Sequence, residues 1–546
     1  MRRALILGLL SLACAPAVAG ADVARPWPVA SFDGTPLDAT LTVPPGPARP
    51  RPLVVFLHGL LADKTEYLSD NAEGAQSYKT VHWNNRWFAQ RGWVVLNYSA
   101  RGHGDSGGQI ELASREYEVR DTRFLVGKLV DQGLVDPSRV AVLGSSYGGG
   151  QAWLLMTTRD DPRLPYGSWR SPRGRLISLA AVVPQYTWSD LVQALVPNGR
   201  ASGTSPLGVP KITLIDGFLA SAGSRLPPDA YRWLSRTTAG EPYEGDPIVA
   251  EAVHALTVDR SALYQDGYFS RLRAGRQRAV PVFAAQGVTD PIFSTQQAVR
   301  MYERLRGARA GYPIQMYFGD FEHLTSQVKI ADLREMHDLG TRFLDWALKR
   351  RHAHRPAFDV RMAVTRCDAA FGPVLRAATW DRLTRRRLTF ALPGPQATAS
   401  PVADPRGAGA DPVALSETRG RGCLTTTEPP TPGIASWTVD VPAGSVLAGA
   451  PRLRFSFTTT ATDITFTPRL WDVAPDGTQT LLSRGAWRAF GSGTVDTELF
   501  GASWRFAPGH RLMLEVGQSD APYFRADNFA SAALVDGVRL ELPLYN

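Results

Sequence analysis

The stretch RVAVLGSSYGGG, residues 139–150, decides the fold, because an apolar run passes directly into a turn rich in glycine and serine. The letters GSSYG within it form a G-x-S-x-G pattern whose central serine is Ser146. Residues 139–143 are typical of a strand, and QAWLLMT, residues 151–157, is typical of a helix. In such a strand–turn–helix the serine lies in a tight, strained turn that exposes its hydroxyl at the edge of a sheet. We therefore predict that Ser146 is a nucleophile rather than a serine of a flexible loop.

The glycines of this turn have a steric role. A side chain at Gly144 or Gly148 would collide with the neighbouring strand or helix, and the turn itself needs unusual backbone angles. The helix that follows directs its N-terminal N–H groups and the positive end of its dipole toward the serine. The N–H of Tyr147 is therefore one predicted donor to an oxyanion at this site.

The rest of residues 52–349 indicates a parallel sheet. Short apolar runs alternate with longer helical patterns such as Asp121–Val130 and Asp332–Leu348. Nearly continuous apolar runs are typical of strands that are buried on both faces of a parallel sheet. Alternating β and α segments predict an α/β sandwich with right-handed crossovers. The predicted strands are Leu53–Leu57, Trp93–Tyr98, Val140–Leu143, Leu179–Val183, Val280–Ala285 and Ile314–Phe318.

A serine hydroxyl needs a base to remove its proton, and the base needs a carboxylate to orient it. In this class of fold the chain order is serine, acid, histidine. Asp290 follows the predicted strand Val280–Ala285, and His323 follows the next strand. Both therefore belong at the carboxyl edge of the sheet, where ligands bind in open α/β folds. We predict a triad of Ser146, Asp290 and His323, with Asp320 as the alternative acid.

Two other histidines lie near strand ends but are not predicted to be the base. His103 precedes the motif serine, which is the wrong order, so we expect it to pack within a loop. His58 opens the segment HGL, residues 58–60, directly after the first strong strand. A segment of this kind supplies a backbone N–H to the oxyanion hole. The second predicted oxyanion donor is therefore Leu60, or else Leu61.

Two regions depart from the alternating pattern. Residues 184–278 are rich in Trp, Tyr, Pro and Gly and predict a helical cap, whose Tyr186 and Trp188 either pack it down or form the apolar wall of a substrate pocket. After residue 350, short alternating runs separated by Thr, Pro and Gly predict an antiparallel β-sandwich. The predicted division is residues 22–183 and 279–350 for the α/β domain, 184–278 for the cap and 351–546 for the β-sandwich.

The N-terminus is typical of an exported protein. Two arginines precede the apolar run 4–13, and the small residues Ala17-Val18-Ala19 follow, which is the order of a secretory signal peptide. The run is shorter than the ~20 residues of a membrane-spanning helix, and no later segment is long enough either. We predict a signal peptide over residues 1–21, cleaved near Ala19–Ala21, and a secreted or periplasmic mature chain. A lipoprotein signal ending at Cys14 is the alternative.

Charge distribution and missing motifs argue against nucleic-acid, metal and cofactor binding. The net charge is +9, but the basic residues are nearly all scattered arginines, without the Lys/Arg block of a nucleic-acid-binding arm. The sequence has neither an H-E-x-x-H nor a Walker motif, so no metal and no cofactor is predicted. Removing the signal peptide leaves Cys367 and Cys423, which lie outside any C-x-x-C motif. They could pair as a disulfide in an oxidising compartment.

Taken together, these segments resemble the cocaine esterase / X-Pro dipeptidyl-peptidase (CocE/NonD) family of α/β hydrolases. The resemblance covers nearly the whole mature chain and includes DGT (33–35), RGHGDS (101–106), the Ser146 turn, 287–293, 319–323, DITF (463–466), RLWDV (469–473), PDG (475–477) and 519–528. It implies an α/β-hydrolase domain with a helical cap, followed by a C-terminal all-β jelly roll. It also implies that the catalytic roles fall on Ser146, Asp290 and His323.

Two departures from the family pattern bear on the substrate. Relatives of cocaine esterase often place a tyrosine hydroxyl in the oxyanion hole, whereas HGLL, residues 58–61, leaves a backbone N–H for that role. Amino-acid ester hydrolases of the family carry a carboxylate just beyond the nucleophile, to hold the substrate ammonium. Here that position belongs to the run Gly148-Gly149-Gly150, which argues against a requirement for an α-amino group.

The sequence thus predicts a serine hydrolase that cleaves ester or amide bonds of a small molecule or short peptide through an acyl-enzyme. The alternative is an X-Pro dipeptidyl-peptidase with the same triad, in which a cap carboxylate such as Asp190, Asp216 or Glu241 binds the free N-terminus. A third hypothesis is a non-catalytic protein whose C-terminal domain binds carbohydrate or a surface.

Overall fold

The computed structural model describes residues 23–47, 49–71, 80–199, 206–321, 323, 329–349, 353–368, 370–400 and 423–545. The predicted signal peptide and its Cys14 alternative lie outside these residues. The strands of the first part are β1 (Val23–Pro26), β2 (Val29–Ala30), β3 (Pro36–Leu37), β4 (Ala39–Val43), β5 (Arg51–Leu57), β6 (Val94–Tyr98), β7 (Val135–Ser145), β8 (Ser168–Arg170), β9 (Leu176–Gln185), β10 (Val282–Gly287), β11 (Ile314–Gly319), β12 (Val360–Ala363) and β13 (Val374–Ala377).

Most of these strands form one sheet in the order β1-β4-β6-β5-β7-β9-β10-β11-β12-β13. The pairs from β6 through β12 are parallel, as the apolar runs predict. Within β5, Leu53, Val55 and Leu57 pack into one core cluster and Val54 and Phe56 into another. This alternation is that of a strand buried on both faces. The six predicted strands correspond to β5, β6, β7, β9, β10 and β11.

Helices cover both faces of the sheet and fill the insertion after β9. They are α1 (Asn85–Ala89), α2 (Glu118–Asp131), α3 (Tyr147–Met156), α4 (Leu191–Leu195), α5 (Ile212–Ala222), α6 (Pro228–Thr238), α7 (Pro247–Val258), α8 (Asp266–Arg273), α9 (Thr295–Ala308), α10 (Ile330–Lys349) and α11 (Trp380–Leu383), with 3₁₀ turns at Lys64–Tyr67 and Gly223–Arg225. Helices α4 to α8 lie between β9 and β10. Across the described ranges, no helix combines the length and apolar character needed to cross a bilayer.

The α/β sheet extends further along the chain than the sequence pattern predicts. Strand β12 pairs in parallel with β11, and β13 pairs antiparallel with β12. Both strands lie within 351–546, the range predicted for the C-terminal domain, so the boundary after residue 350 is too early. Long helix α10 followed by β12 is one more β-α-β crossover, and the change in composition after residue 350 conceals its short last strand.

The remaining strands form the C-terminal β-sandwich. They are β14 (Arg386–Ala391), β15 (Gln396–Ser400), β16 (Thr425–Thr426), β17 (Ala435–Asp440), β18 (Val446–Gly449), β19 (Arg452–Thr459), β20 (Ile464–Val473), β21 (Gln479–Arg484), β22 (Trp487–Ala489), β23 (Gly493–Glu498), β24 (Ala502–Arg505), β25 (Arg511–Gly517) and β26 (Ser531–Tyr545). One antiparallel sheet contains β19 and β26, and the other contains β20 and β25. The ring centroids of Phe455 and Phe457 lie 5.2 Å and 4.8 Å from that of Phe466, which joins the two sheets.

A disulfide links Cys367 to Cys423. Cys367 lies between β12 and β13 of the α/β sheet, and Cys423 precedes β16 of the sandwich. The bond therefore crosses from one domain to the other. It joins the two cysteines that remain after the predicted signal peptide.

We expect the double variant Cys367→Ser/Cys423→Ser to unfold at lower temperature and lower denaturant concentration. The bond closes a loop with a sequence separation of 56, and loss of such a constraint on the unfolded chain costs about 4 kcal/mol in the chain-entropy model. Denaturant titration of both proteins, with and without reductant, measures the effect. The double variant is the control, because reductant should leave its midpoint unchanged. Equal midpoints for the oxidised wild type and the variant would contradict the prediction.

Candidate active site

Ser146 lies in a strained turn between β7 and α3. Its φ of 52° and ψ of −115° are unusual for a residue with a side chain. The Ser146 N–H donates to the carbonyl of Gln185 at 2.9 Å, and the Thr187 hydroxyl donates to the Ser146 carbonyl at 2.6 Å. Strain of this kind persists only where the surroundings enforce it, and it concentrates at functional sites. The backbone thus holds the Ser146 side chain at the carboxyl edge of the sheet.

The turn depends on two glycines that allow backbones to approach closely. A Cβ on Gly144 would lie 2.3 Å from the carbonyl carbon of Gly148. A Cβ on Gly148 would lie 2.1 Å from the carbonyl oxygen of Leu57, at the end of β5. Neither contact can be relieved by rotating a side chain, because both involve backbone atoms. The two glycines predicted to be sterically required therefore bring the end of β5 against the Ser146 turn.

Asp290 and His323 follow neighbouring parallel strands. Strands β10 and β11 pair in register, so that Gly287 is opposite Gly319 where both strands end. Beyond these glycines, His323 Nδ1 lies 2.7 Å from Asp290 Oδ2. Asp290 Oδ1 accepts from the N–H groups of the second and third residues after it, at 2.9 Å and 3.2 Å. The structure therefore brings the predicted acid and the predicted base together, and both oxygens of the acid are held.

The alternative acid, Asp320, is directed elsewhere. Its carboxylate pairs with the Lys329 ammonium and accepts from the N–H of Arg366 at 3.0 Å. These partners lie just before α10 and beyond β12, away from the His323 ring. Of the two carboxylates considered from the sequence, Asp290 is the one bonded to His323.

Ser146 and His323 line the same open cavity, which has a volume of about 400 Å³. The ring of Tyr186 forms part of its wall and packs edge-on against His323, with ring centroids 5.4 Å apart. Trp188, the other predicted pocket residue, is not part of this wall. Its indole N–H donates to the carbonyl of Arg260 at 2.9 Å, and its ring packs on α3 so tightly that a Cβ on Gly150 would lie 2.4 Å away. Of the two roles predicted for Trp188, its position fits packing, because Gly150 on α3 leaves room for its ring.

Two backbone segments at the cavity are suited to bind an oxyanion. Tyr147 is the first residue of α3, so its N–H has no partner within the helix. Gly59 and Leu60 also line the cavity, and the Gly59 N–H is already occupied by Glu66 Oε2 at 2.7 Å. The next N–H along this segment is that of Leu60, the residue predicted from the sequence. Leu61, its alternative, is not among the lining residues.

The side chain of Tyr147 is anchored away from the cavity. Its hydroxyl donates to Glu118 Oε1 at 2.6 Å and accepts from the Ala113 N–H at 2.7 Å. Burial raises the pKa of the Glu118 carboxyl to about 7. Because this phenol is occupied in the interior, the group that Tyr147 can offer to a substrate is its backbone N–H.

Glu66 is a site residue that the sequence pattern does not predict. Its Oε1 accepts from the Ser145 hydroxyl at 2.9 Å while its Oε2 accepts from Gly59. One carboxylate thus joins the segment after β5 to the residue next to Ser146, and it also lines the cavity. Glu66 lies in the 3₁₀ turn Lys64–Tyr67, whose cap is the side chain of Asp63. No local motif marks it, since its partner Ser145 is 79 positions away.

The two other histidines near strand ends are buried and remain neutral near pH 7. His58 Nε2 accepts from the Ala100 N–H at 2.8 Å, and burial lowers its pKa to about 4. Burial also lowers the pKa of His103 to about 3, and its ring packs against His58 at 4.9 Å between centroids. Neither ring lines the cavity. Their positions agree with the packing role predicted for His103 and with a backbone role for the segment that His58 opens.

The cap carboxylates considered for a dipeptidase lie outside the cavity wall. Asp190 is buried, caps α4 and accepts from the Tyr264 hydroxyl. Glu241 bonds to Asn528 and Arg525 of the sandwich, and Asp216 is exposed on α5. The cavity instead contains the carboxylates Asp63 and Glu66. Among the residues that the structure describes, no group of three or more His, Cys, Asp or Glu side chains could hold a metal ion.

Two family models match the chain. The model for X-Pro dipeptidyl-peptidase (S15 family) matches residues 33–166, which include β5, the Ser146 turn and α3. The model for the X-Pro dipeptidyl-peptidase C-terminal non-catalytic domain matches residues 383–529, within the β-sandwich. The first match lies in the predicted α/β domain and the second in the predicted β-sandwich that follows it.

Solved structures of similar fold extend over almost the whole chain. An aminopeptidase from the marine sediment archaeon Thaumarchaeota archaeon has a TM-score of 0.65 at 15% identity, covering 98% of this chain and 99% of its own. An α-amino acid ester hydrolase has a TM-score of 0.65 at 14% identity, covering 98% of both chains. A CocE/NonD family hydrolase from Staphylococcus aureus has a TM-score of 0.61 at 12% identity, covering 96% of this chain and 94% of its own. The two family models show that the chain belongs to the X-Pro dipeptidyl-peptidase (S15) family of serine hydrolases, and the solved structures show that it shares the fold of a CocE/NonD hydrolase.

Proposed function

We propose that this protein cleaves an ester or amide bond of a small molecule or short peptide through an acyl-enzyme on Ser146. One observation carries the proposal. His323, whose Nδ1 is 2.7 Å from a carboxylate oxygen of Asp290, lines the same cavity as the strained Ser146. A hydroxyl, an imidazole and a carboxylate in this order are the groups of a serine hydrolase triad.

In the proposed mechanism, His323 accepts the proton of the Ser146 hydroxyl as the oxygen attacks the substrate carbonyl. With Nδ1–H donating to Asp290, the neutral imidazole presents Nε2 as the acceptor. The carboxylate keeps this tautomer and stabilises the imidazolium that forms. His323 then returns the proton to the leaving group, and water hydrolyses the acyl-enzyme by the same steps.

The tetrahedral intermediate carries a negative charge, for which we propose the N–H groups of Tyr147 and Leu60 as donors. Both come from backbone whose position is fixed, by α3 on one side and by the Glu66 contact to Gly59 on the other. Fixed donors need no rearrangement when the charge develops, and loss of one such donor typically costs ~3–4 kcal/mol in the barrier. Glu66 would therefore support catalysis with every substrate.

A second candidate, an X-Pro dipeptidyl-peptidase, is favoured by the charge of the cavity. Apart from His323 and Tyr186, the ionisable side chains that line it in the described part of the chain are Asp63 and Glu66. Two carboxylates near the nucleophile favour a substrate that carries an ammonium group close to the scissile bond. The acidic residues that such a group would meet come from residues 63–66 and not from the position of Gly148–Gly150.

We also propose that the mature protein works outside the cytoplasm. The charged, apolar and small-residue pattern of residues 1–21 supports export. The disulfide between Cys367 and Cys423 supports it independently, because disulfides persist in oxidising compartments.

We expect a fluorophosphonate probe to label the purified protein at Ser146. The probe reacts with a serine only when a neighbouring base activates its oxygen. Peptide mapping locates the label, and Ser146→Ala should abolish it. Ser145→Ala is the matched control, because Ser145 is the adjacent serine and should not carry the label. A folded wild type that resists the probe would contradict the proposal.

We expect His323→Gln to lose at least about 10³-fold in kcat while remaining folded, because glutamine cannot accept the serine proton. Ester hydrolysis measures kcat, and circular dichroism measures folding. The control is His254→Gln, at an exposed position on α7. A stable His323→Gln enzyme that keeps most of its rate would show that another group is the base.

The two candidate substrates can be separated by pairing an X-Pro amide that has a free amine with its N-acetylated analogue. If the carboxylates bind an ammonium group, kcat/KM for the free amine is higher, and Asp63→Asn reduces that preference about fivefold. Glu66→Gln, by contrast, should slow both substrates, because it disturbs the Gly59 contact. Equal rates on the paired substrates would leave the acyl hydrolase as the function.

A further inference from the structure

The loop that carries Asp290 is fixed through its backbone as well as through its side chain. The carboxylate of Asp290 accepts from the N–H groups of Ile292 and Phe293, so its orientation depends on the path of these residues. The side chain of Asp290 has no exposed surface. Any rotation of the peptide planes from Pro291 to Phe293 would therefore move the oxygen that faces His323.

The carbonyl groups of the same loop are held by two side chains from outside the sheet. The Lys211 Nζ donates to the carbonyls of Pro291, at 3.0 Å, and Ile292, at 2.7 Å. The Tyr523 hydroxyl also donates to the carbonyl of Pro291. The N–H groups of Ile292 and Phe293 are thus bound by Asp290, and the carbonyls of Pro291 and Ile292 by Lys211 and Tyr523.

These two side chains come from different parts of the chain. Lys211 immediately precedes α5 in the insertion, and Tyr523 lies between β25 and β26 of the sandwich. Their backbones pair: Ile212 N–H donates to Tyr523 O at 3.0 Å, and Arg525 N–H donates to Pro210 O at 2.9 Å. The insertion and the sandwich thus meet in a single antiparallel β-bridge between Lys211 and Phe524, next to the two side chains that bind the acid loop.

The sandwich reaches the same region at a second point. Gln296, in the first turn of α9, donates through its side-chain amide to the carbonyl of Leu499 and accepts from the Gly501 N–H at 3.4 Å. Helix α9 is the element that follows the acid loop. Both ends of the segment from Asp290 to α9 are therefore supported by the C-terminal domain.

Burial of a lysine at this position has a cost that packing alone does not explain. Burial lowers the pKa of Lys211 to about 7, which the charge of Asp290 opposes. An apolar side chain of similar volume is often equally or more stabilising than a buried charged group. Charged or neutral, however, the amine keeps at least two N–H donors, which match the two carbonyls it binds. Its contribution to stability does not explain why a lysine lies here. Its two directed hydrogen bonds to the loop carbonyls do.

We propose that Lys211 and Tyr523 are positioning residues for the catalytic acid, through which the insertion and the C-terminal β-sandwich take part in catalysis. The inference rests on the proposed role of Asp290. It assigns the C-terminal domain a function within the reaction: it holds the carboxylate of Asp290 in line with the His323 ring.

The test compares Tyr523→Phe and Lys211→Met with the wild type by steady-state ester hydrolysis. Tyr523→Phe removes a single oxygen and keeps the ring in its cluster with Val209 and Phe524. We expect kcat to fall about tenfold for Tyr523→Phe and about tenfold to a hundredfold for Lys211→Met, which loses two hydrogen bonds. KM should stay within about twofold, because the loop acts on the chemical step.

Tyr312→Phe is the matched control. The Tyr312 hydroxyl is also buried and also donates to a backbone carbonyl, that of Val280 at 2.8 Å, just before the start of β10. Tyr312→Phe therefore removes the same kind of hydroxyl as Tyr523→Phe, but near the start of β10, whereas Asp290 follows the end of that strand. We expect its kcat to equal that of the wild type within about twofold.

A second measurement separates positioning from a general loss of structure. In an Asp290→Asn background the acid is already absent, so Tyr523→Phe should cause no further fall in the residual rate. A fall equal to that in the wild-type background would overturn the inference, because the effect would then bypass Asp290. If Lys211→Met does not fold, Tyr523→Phe alone decides.

The outcomes distinguish this inference from the proposed function. Unchanged kcat in folded Tyr523→Phe, with wild type labelled at Ser146 and Asp290→Asn inactive, overturns the positioning role alone. A wild type without label at Ser146, or an Asp290→Asn variant with full activity, overturns the triad and this inference with it. A kcat effect that depends on Asp290 and is absent from Tyr312→Phe supports both.

Discussion

The site depends on one close approach of backbones that leaves no room for a side chain. Gly144 meets Gly148 across the Ser146 turn, and Gly148 meets the carbonyl oxygen of Leu57 at the end of β5. Ser146 has a positive φ in this turn, and the approach brings the segment after β5, with Leu60, to the same cavity as Ser146. A single steric condition thus sets the positions of the proposed nucleophile and of the proposed oxyanion donors, before any other side chain of the proposed triad contributes.

Much of this arrangement was predictable because its causes are local in the sequence. Strands buried on both faces need nearly continuous apolar runs, so β5, β7, β10 and β11 were evident from composition alone. The glycines of the turn mark the proposed nucleophile, because a Cβ at Gly144 or Gly148 would collide with backbone atoms. The acid and the base followed from topology, since residues just beyond neighbouring parallel strands meet at one edge. Asp290 and His323 are predicted by this rule, and the fold brings them within 2.7 Å of each other.

What the sequence did not indicate depends on contacts between distant segments. Glu66 joins Gly59 to Ser145, yet it lies in a short 3₁₀ turn without any motif. Trp188 resembles a pocket aromatic, but its ring packs against α3 where Gly150 has no side chain. Strands β12 and β13 are only four residues each, too short to stand out after the change in composition. In each case the residue or strand that makes the contact lies far away in the sequence, so a local pattern cannot predict the contact.

The two halves of the proposed triad are supported in different ways. Ser146 is held by its own strand and helix, by the carbonyl of Gln185 at the end of β9 and by the hydroxyl of Thr187 just beyond it. Asp290 belongs to a loop whose carbonyls are bound by Lys211 and Tyr523, which come from the insertion and the sandwich. A change at the interface between domains would therefore reach the acid without altering the strain at the nucleophile. The packing of the β-sandwich against the α/β domain therefore helps to set the orientation of the His323 ring. The reason is that the loop carrying Asp290, which orients this ring, is held by side chains from outside the sheet.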